Sequence, residues 1–436
     1  MDKTNRWLNP NPHDQLRFSH MTGSISSRQA VQRALNAVSP DCGAAVINGL
    51  VTLLDTAMTS PGRRYHNLTH ALMVADSDDP LDIIAGLFHD IVQTRADAGI
   101  PANVFRPLAG FIEQKPSGDF EIRASDSTRS SPILRIVMRC FGLPESTSIL
   151  PRGLENEFLS ALVATESLRN ILNFEQLAAI SIAIEATVPF RKNHDQLNAG
   201  YFSALTSIGD EYRLVIPRER QHAHIQRAVR VSNRDVKGFC QPDPFEFLDD
   251  TWSLIQESSN YLRSENLTSI KNYRKSLESM VNFFSSLNAV SIFKVFEGEP
   301  SQDEHQKQIC STTNNLYIYL EVMHAKLLAI YLIETQFKDV DRPIKLARGL
   351  PKHSQTESSE NWAAIRILEA GSTASLEFDI YQSPVSYRLL KELGAVKIRD
   401  FCRSIRLESQ QPIDIFHALP EEIQRVVLST SLAMDF

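Results

Sequence analysis

The sequence predicts a mostly α-helical protein, and the spacing of its apolar residues is the main reason. Apolar side chains recur every three or four residues, which places them on one face of a helix. The segments with this spacing are 30–58, 81–92, 158–172, 175–186, 225–236 and 245–263. Alternation typical of strands is sparse, and its best example is the short run 374–381. Prolines and glycines separate the helical segments, as at Pro61-Gly62.

Composition narrows the class of protein. The chain has 436 residues, of which 42% are hydrophobic and 22% charged, as in soluble globular proteins. The formal net charge of −7 gives no electrostatic reason to expect a nucleic-acid polymer or an anionic membrane as partner. The five cysteines are widely separated and form no CxxC pair, so free thiols in a reducing compartment are expected. The first residues lack the apolar core of a signal peptide, so we expect a cytoplasmic protein.

The chain is long enough for more than one domain. We predict an N-terminal arm over 1–24, a helical domain over 25–265 and a mostly helical C-terminal region of unknown role over 266–436. Polar seams at 297–308 and 352–360 support a division of the C-terminal half. The most apolar run, 316–333, contains Glu321, His324 and Lys326, which favours a buried helix over a membrane span. The C-terminal region is also where a protein partner or a second copy of the chain is expected to dock.

The segment 63–90 contains the chemically informative residues. His66 and His70 are four residues apart, so on a helix both imidazoles would project from one face. An apolar run over 83–88 leads directly into His89-Asp90. A histidine and an aspartate at the end of such a run are costly to bury unless a partner satisfies them, and a divalent metal ion does so. A lone His-Asp doublet arises by chance, as at His194-Asp195, but the combination with the upstream histidines favours a metal site.

These residues resemble a known superfamily. Phe88-His89-Asp90 with an upstream histidine is similar to the HD superfamily of metal-dependent phosphohydrolases. The stretch 65–71 (YHNLTHA), followed by Val74, is similar to the signature of class I cyclic-nucleotide phosphodiesterases. The resemblance implies an HD-domain helical bundle in which His70, His89 and Asp90 bind metal and His66 is the general acid.

The superfamily also requires an aspartate from a later helix. The best match is Asp235, at the end of the helical stretch 228–236, and Asp195 is the competitor without an apolar helix to position it. Glu185 lies in a helix that is apolar nearly all round, so its carboxylate needs a partner. Two interpretations stay open: contact with the metal site as a second-shell residue, or an ion pair with Arg191 or Lys192.

The resemblance implies metal-dependent hydrolysis of a small phosphoester, a nucleotide or cyclic nucleotide, by a water that the metal activates. One or two divalent ions are expected, and the ligand set leaves Mn, Fe, Zn, Ni and Mg open. Arg63 and Arg64 would bind phosphate or be surface charges, and the surface interpretation is slightly favoured. Two alternatives remain. One is an HD-fold regulatory or binding module without turnover; the other is a di-iron HD-type oxygenase, for which further histidines are available at His194, His222 and His224.

Overall fold

The computed structural model describes residues 25–60, 62–97, 99–258, 268–337, 343–344 and 384–434. Three predictions lie outside these residues, namely the N-terminal arm over 1–24, the polar seam over 352–360 and the strand over 374–381. Within the described part the chain is mostly α-helical, which confirms the predicted fold class.

The first part of the chain alternates helices with one small hairpin. Its elements are α1 (Ser27–Val38), α2 (Ala44–Met58), α3 (Leu68–Val74), α4 (Pro80–Phe88), α5 (Ala102–Leu108), β1 (Ile112–Gln114), β2 (Phe120–Ile122), α6 (Asp126–Arg129), α7 (Pro132–Cys140), α8 (Glu155–Leu168), α9 (Phe174–Ala186), α10 (His194–Tyr212) and α11 (Arg218–Asp235). The later elements are α12 (Pro244–Ser258), β3 (Thr268–Ser269), α13 (Ile270–Ser286), α14 (Ala289–Ile292), α15 (Gln302–Glu334), β4 (Pro343–Ile344), α16 (Pro384–Arg406), α17 (Pro412–Ala418) and α18 (Glu421–Met434).

The described residues form two compact units. The first, here called the site unit, contains 25–60, 62–97, 99–237 and 288–309. The second unit contains 238–258, 268–287, 310–337, 343–344 and 384–434. Residues 288–309 therefore belong to the same unit as residues up to 237, although the intervening residues 238–287 belong to the second unit. The functional division at about residue 265 stays a prediction.

Local sequence explains where the predicted helices differ from the observed ones. The predicted helix over 30–58 is two helices, because Pro40 has no amide hydrogen and disfavours helical geometry at Ser39. The hairpin β1–β2 was not predicted as a pair of strands. Its antiparallel register pairs Ile112 with Ile122, and Gly118 takes the positive φ of 88° that the turn requires.

Helix α9 is the centre of the site unit. Every residue from 177 to 186 is buried, and the helix packs against α4, α7, α8, α10 and α11. Because α4 and α11 both pack on α9 and on each other, their C-terminal ends are held close together. These two ends carry His89-Asp90 and Asp235.

The second unit has its own core and one long apolar helix. Tyr319 packs against Phe284, with ring centroids 4.1 Å apart, and against Phe247 at 5.8 Å. Among the described residues, α15 is the one helix that is long and apolar enough to cross a membrane by length and composition. Most of its apolar window, 83%, is buried inside the protein.

Candidate metal centre

Four predicted ligands from three separate parts of the chain meet at one point. His70 lies in α3, His89 and Asp90 follow directly on α4, and Asp235 is the last residue of α11. One ligand atom from each of the four lies within 4.8 Å of all the others. Within the described part of the chain this is the one group of histidine, cysteine and acidic residues that could hold a metal ion.

The distances within this cluster suit ligands that share one ion. His70 Nε2 lies 3.1 Å from Asp235 Oδ1 and 3.6 Å from Asp90 Oδ2. His89 Nε2 lies 2.8 Å from Asp90 Oδ2 and 3.4 Å from Asp235 Oδ1. Adjacent ligands bound at about 2.0–2.2 Å to a common ion lie about 2.8–3.6 Å from each other, depending on whether the coordination is octahedral or tetrahedral. The donor set of two imidazoles and two carboxylates therefore fits a divalent ion without large rearrangement.

The tautomer of His89 is set by its own helix. Its Nδ1 lies 2.8 Å from the carbonyl oxygen of Gly86 and donates to it, so Nε2 is the ring nitrogen available to a metal ion. His89 Nε2 and Asp90 Oδ2 are both buried, and although they lie 2.8 Å apart, neither makes a hydrogen bond of acceptable geometry with a described residue. Buried polar atoms of this kind are rare in proteins without an ion or water to satisfy them. This pair of atoms therefore supports the metal site independently of the spacing.

The charges of the cluster shift one another's pKa values. Burial lowers the pKa of His89, but the carboxylates of Asp90 and Asp235 outweigh burial and raise it well above 6.5. Burial raises the pKa of Asp90, but the charges of His89, His66 and His70 bring it well below 3.8. Asp235 behaves in the same way through His70 and His89, and its pKa falls to about 2. Without a metal ion, the cluster thus favours a proton on His89, where a metal ion would otherwise bind.

A hydrogen-bonded chain fixes the second oxygen of Asp90. Gln93 Nε2 donates to Asp90 Oδ1 over 2.8 Å, and Asn156 Nδ2 donates to Gln93 Oε1 over 2.9 Å. Asn156 Oδ1 in turn accepts from the hydroxyl of Thr94 over 3.1 Å. Such outer partners orient ligating carboxylates. Gln93 was not predicted from the sequence; the one local signal for it is its position three residues after Asp90.

Close packing of α3 against α4 brings His70 to His89. A Cβ atom added to Gly86 would lie 2.6 Å from the amide nitrogen of Ala75, closer than real Cβ contacts allow. Only glycine permits this approach between the end of α3 and the middle of α4. The ring centroids of His70 and His89 are 5.3 Å apart as a result.

Arg63 is buried beneath the site, so the surface interpretation is wrong for this residue. Its guanidinium forms a two-pronged ion pair with Asp97, with Nε–Oδ1 and Nη2–Oδ2 distances of 2.9 and 2.6 Å. It also donates to the carbonyl oxygens of His66, Asp90 and Ile91. Five donors in a planar fork allow one arginine to satisfy all of these acceptors. This role was not apparent from the sequence because, apart from His66, these partners are 27 to 34 residues away.

Three arginines on one side of α11 hold that helix against the start of α4. Arg227, Arg230 and Arg234, here called the arginine ladder, all reach the buried carboxylate of Asp82, with closest distances of 3.1, 3.1 and 2.9 Å. Arg227 also binds Asp79 at 2.6 Å. The arginine ladder contacts the N-terminal end of α4, whereas His89 follows its C-terminal end. By fixing α11 against α4, the ladder sets the position of Asp235 relative to His89.

His66 lies beside the cluster but not on the helix that carries His70. Helix α3 begins at Leu68 because Asn67 caps it and accepts from the amide of His70 over 3.1 Å. The expectation that both histidines lie on one helix face is therefore wrong. The loop nevertheless brings the half-buried His66 ring to 5.8 Å from that of His70, edge to face.

The remaining sequence candidates lie elsewhere. Glu185 is buried, forms an ion pair with Arg191 and accepts from the hydroxyl of Tyr201. This is the second of the two interpretations for its partner; a second-shell role at the metal stays a prediction. Asp195 is exposed at the start of α10.

The three histidines considered for a di-iron site have other contacts. His194 contacts the carbonyl of Arg191, His222 pairs with Glu297, and His224 lies 3.0 Å from Glu175. None of the three is in the metal-capable group.

Two charged groups near the cluster were not identified from the sequence. Glu157 lies in the first turn of α8, and burial, together with the charges of Asp90 and Asp235, raises its pKa to about 7. Lys294 is buried, and its ammonium group is within electrostatic reach of Asp235. Both residues lack a recognisable motif, because only the fold brings them to the site.

Comparisons with known proteins add no relative. No family model, no curated protein and no solved structure matches this chain. The resemblance to the HD superfamily therefore depends on the motif residues themselves, and membership stays a prediction.

Proposed function

We propose that this protein is an HD-type metal-dependent phosphohydrolase that hydrolyses a small phosphoester, a nucleotide or a cyclic nucleotide. The observation that supports it best is the convergence of His70, His89, Asp90 and Asp235, with two buried ligand atoms left without hydrogen bonds. A site of this kind inside a helical unit is what the motif residues imply.

The chain's own residues have separable tasks in this proposal. His70, His89, Asp90 and Asp235 would hold one or two divalent ions. When bound, such an ion lowers the pKa of a coordinated water to about 7 and offsets charge on phosphoryl oxygens. Gln93 holds the Asp90 carboxylate in one orientation. Arg63 ties the His66 loop to the backbone of Asp90.

His66 is the residue proposed to move the proton. It lies next to His70 without being in the metal-capable group. An imidazole whose ordinary pKa is about 6.5 holds a proton near neutral pH and can pass it to the leaving oxygen of the substrate. The residue is half-buried, so part of it is accessible to solvent and to a substrate.

The test combines metal analysis with turnover. The purified full chain is analysed for bound metals, stripped with a chelator and reloaded separately with Mn²⁺, Zn²⁺, Fe²⁺, Ni²⁺ and Mg²⁺. Each form is assayed with bis(p-nitrophenyl) phosphate, 3′,5′-cyclic nucleotides and nucleoside monophosphates. Asp90→Asn should lose both metal and turnover. Asp195→Asn, the matched change in the exposed second His-Asp doublet, should retain both.

Other outcomes would decide between the remaining interpretations. Stoichiometric metal without hydrolysis of any phosphoester would favour a regulatory or binding module. Two irons with the spectroscopic signature of a mixed-valent pair would favour the oxygenase. No metal in any preparation would overturn the proposal. A small phosphorylated substrate and a cytoplasmic location are part of the same proposal.

A further inference from the structure

One segment outside the predicted domain packs along the helix that presents Asp235. Residues 288–299, here called the return segment, belong to the site unit although they follow α13 in the chain. The side-chain amide of Asn233 makes two hydrogen bonds to the backbone of Lys294. Asn233 Nδ2 donates to the Lys294 carbonyl over 2.9 Å, and the Lys294 amide donates to Asn233 Oδ1 over 2.8 Å.

The side chain of Lys294 links the ends of two helices. Its Nζ donates to Ser232 Oγ over 3.0 Å and to the carbonyl oxygen of Ala186. Ser232 is one turn before Asp235 in α11, and Ala186 is the last residue of α9. The ammonium group thus fixes the last turn of α11 against the end of the central helix.

More contacts hold the return segment along α11. Gln226 Nε2 donates to the Glu297 carbonyl over 3.2 Å, and His222 binds the Glu297 carboxylate. Arg230 lies 3.6 Å from Glu299. These contacts are spread along most of the length of α11, so the segment is part of the packing that positions the whole helix.

A lysine is a costly choice at this place. Only 6% of Lys294 is exposed, and the two atoms that accept its hydrogen bonds are neutral oxygens. Burial, aided by the charge of Arg191, lowers its pKa to about 7, while Glu185 and Asp235 act in the opposite direction. Apolar residues fill buried positions at lower cost. The amine is therefore explained better by a positional task than by stability.

We propose that Lys294 is a positioning residue for Asp235, and that the return segment completes the metal site from outside the predicted domain. The inference rests on the proposed metal site. It assigns to part of the C-terminal region a role that the motifs do not indicate. Lys294 acts through Ser232 and the last turn of α11, and it does not need to touch the ion.

The test measures the affinity of the stripped full chain for Mn²⁺ and for Zn²⁺ alone, without substrate. Lys294→Met keeps the length and volume of the side chain and removes its donors. Its affinity should fall by about tenfold, as for other residues that orient ligands. Lys307→Met, an exposed lysine in the same unit, should bind like the wild type. Unchanged or tighter binding by Lys294→Met would overturn the inference.

A second variant separates positioning from general destabilisation. Ser232→Ala removes the side-chain acceptor in α11 and should also weaken binding, by several-fold. The double variant should lose less affinity than the product of the two single losses, because both act through one contact. If the two changes act independently, the inference is overturned. It is also overturned if Ser232→Ala binds metal with wild-type affinity. Should Lys294→Met fail to fold, Ser232→Ala alone is the test. If the wild type binds metal and the variants bind equally well, only this inference fails; if the wild type binds none, the proposed function fails with it.

Discussion

The Nδ1 atom of His89 lies 2.8 Å from the carbonyl oxygen of Gly86, one turn earlier in the chain. This hydrogen bond turns the Nε2 atom of His89 towards Asp90 and Asp235. The same glycine permits the close approach of α3 that brings His70 to the site. Gly86 thus sets both the orientation of the His89 ring and the position of His70.

Gly86→Ala should destabilise the protein and weaken metal binding. The added methyl would overlap the backbone of Ala75, so the two helices must separate. Overpacking of this kind costs about 1–3 kcal/mol in free energy of unfolding. Urea denaturation of the metal-free protein measures the loss. Gly49→Ala is the control, since a Cβ at this position in α2 meets nothing within 4 Å; it should be stabilising by about 0.5–1 kcal/mol. Equal stabilities of the two variants would contradict the close-packing argument.

His66→Ala should separate metal binding from turnover. The ring is outside the metal-capable group, so metal content should stay at the wild-type level. Loss of a general acid lowers turnover by about 10²–10⁴-fold. Metal analysis and phosphodiester hydrolysis on the same preparation check both points. His417→Ala, an exposed histidine in the second unit, should change neither quantity. Full turnover by His66→Ala would remove this residue from the mechanism.

Arg63→Met should be among the most destabilising single changes in the site unit. It leaves the buried carboxylate of Asp97 without its ion pair and strands three backbone carbonyls. Breaking one side of a buried pair costs about 3–5 kcal/mol. The adjacent Arg64 is exposed, and Arg64→Met should change the free energy of unfolding by about 0.5 kcal/mol or less. Similar losses in both variants, measured by chemical denaturation, would show that Arg63 is not a buried clamp.

The stability of the protein should depend on pH in opposite ways with and without metal. In the metal-free protein the pKa of His89 is raised, so its contribution is complete below about pH 6.5 and is lost as the pH rises. The pKa values of Asp90 and Asp235 are lowered, so their contribution is present above about pH 3.8 and is lost on further acidification. The metal-free cluster therefore contributes most between about pH 4 and 6.5.

A bound metal reverses the upper side of this profile. Its ligands must be deprotonated, so the stabilisation by Mn²⁺ should increase from about pH 6 to 8. Denaturation curves with chelator and with saturating Mn²⁺ over this range measure both slopes. His89→Ala should abolish the difference between the two curves. Parallel profiles in the wild type would argue against metal binding at these residues.

Much of the site could be predicted because its ligands lie in recognisable local patterns. The pairing of His70 with His89-Asp90, and the choice of Asp235 over Asp195, came from the resemblance to the HD superfamily together with the apolar helices, and the fold brings those four residues together. The helical fold class could likewise be predicted, because the three- and four-residue spacing of apolar side chains is a local pattern.

The parts that escaped prediction depend on contacts between distant residues. Arg63 looked like a surface charge because Asp97 and the backbone around Asp90 meet it only in the folded unit. Helix α3 begins after His66 because Asn67 caps it, and the four-residue spacing of His66 and His70 does not show where the cap lies. Lys294 was not predicted as part of the site because it lies after residue 265, where the predicted helical domain ends.

The arginine ladder also fixes α11 in rotation. Its three members are three and four residues apart, so they share one side of the helix and reach Asp82 together in a single rotational setting. Each residue of an α-helix turns by about 100°. One residue inserted between Arg234 and Asp235 would leave all three arginines in place and rotate the aspartate by about a quarter of a turn away from His70 and His89. The spacing from the ladder to Asp235, counted in residues, is thus as strict a requirement as the identity of the aspartate itself.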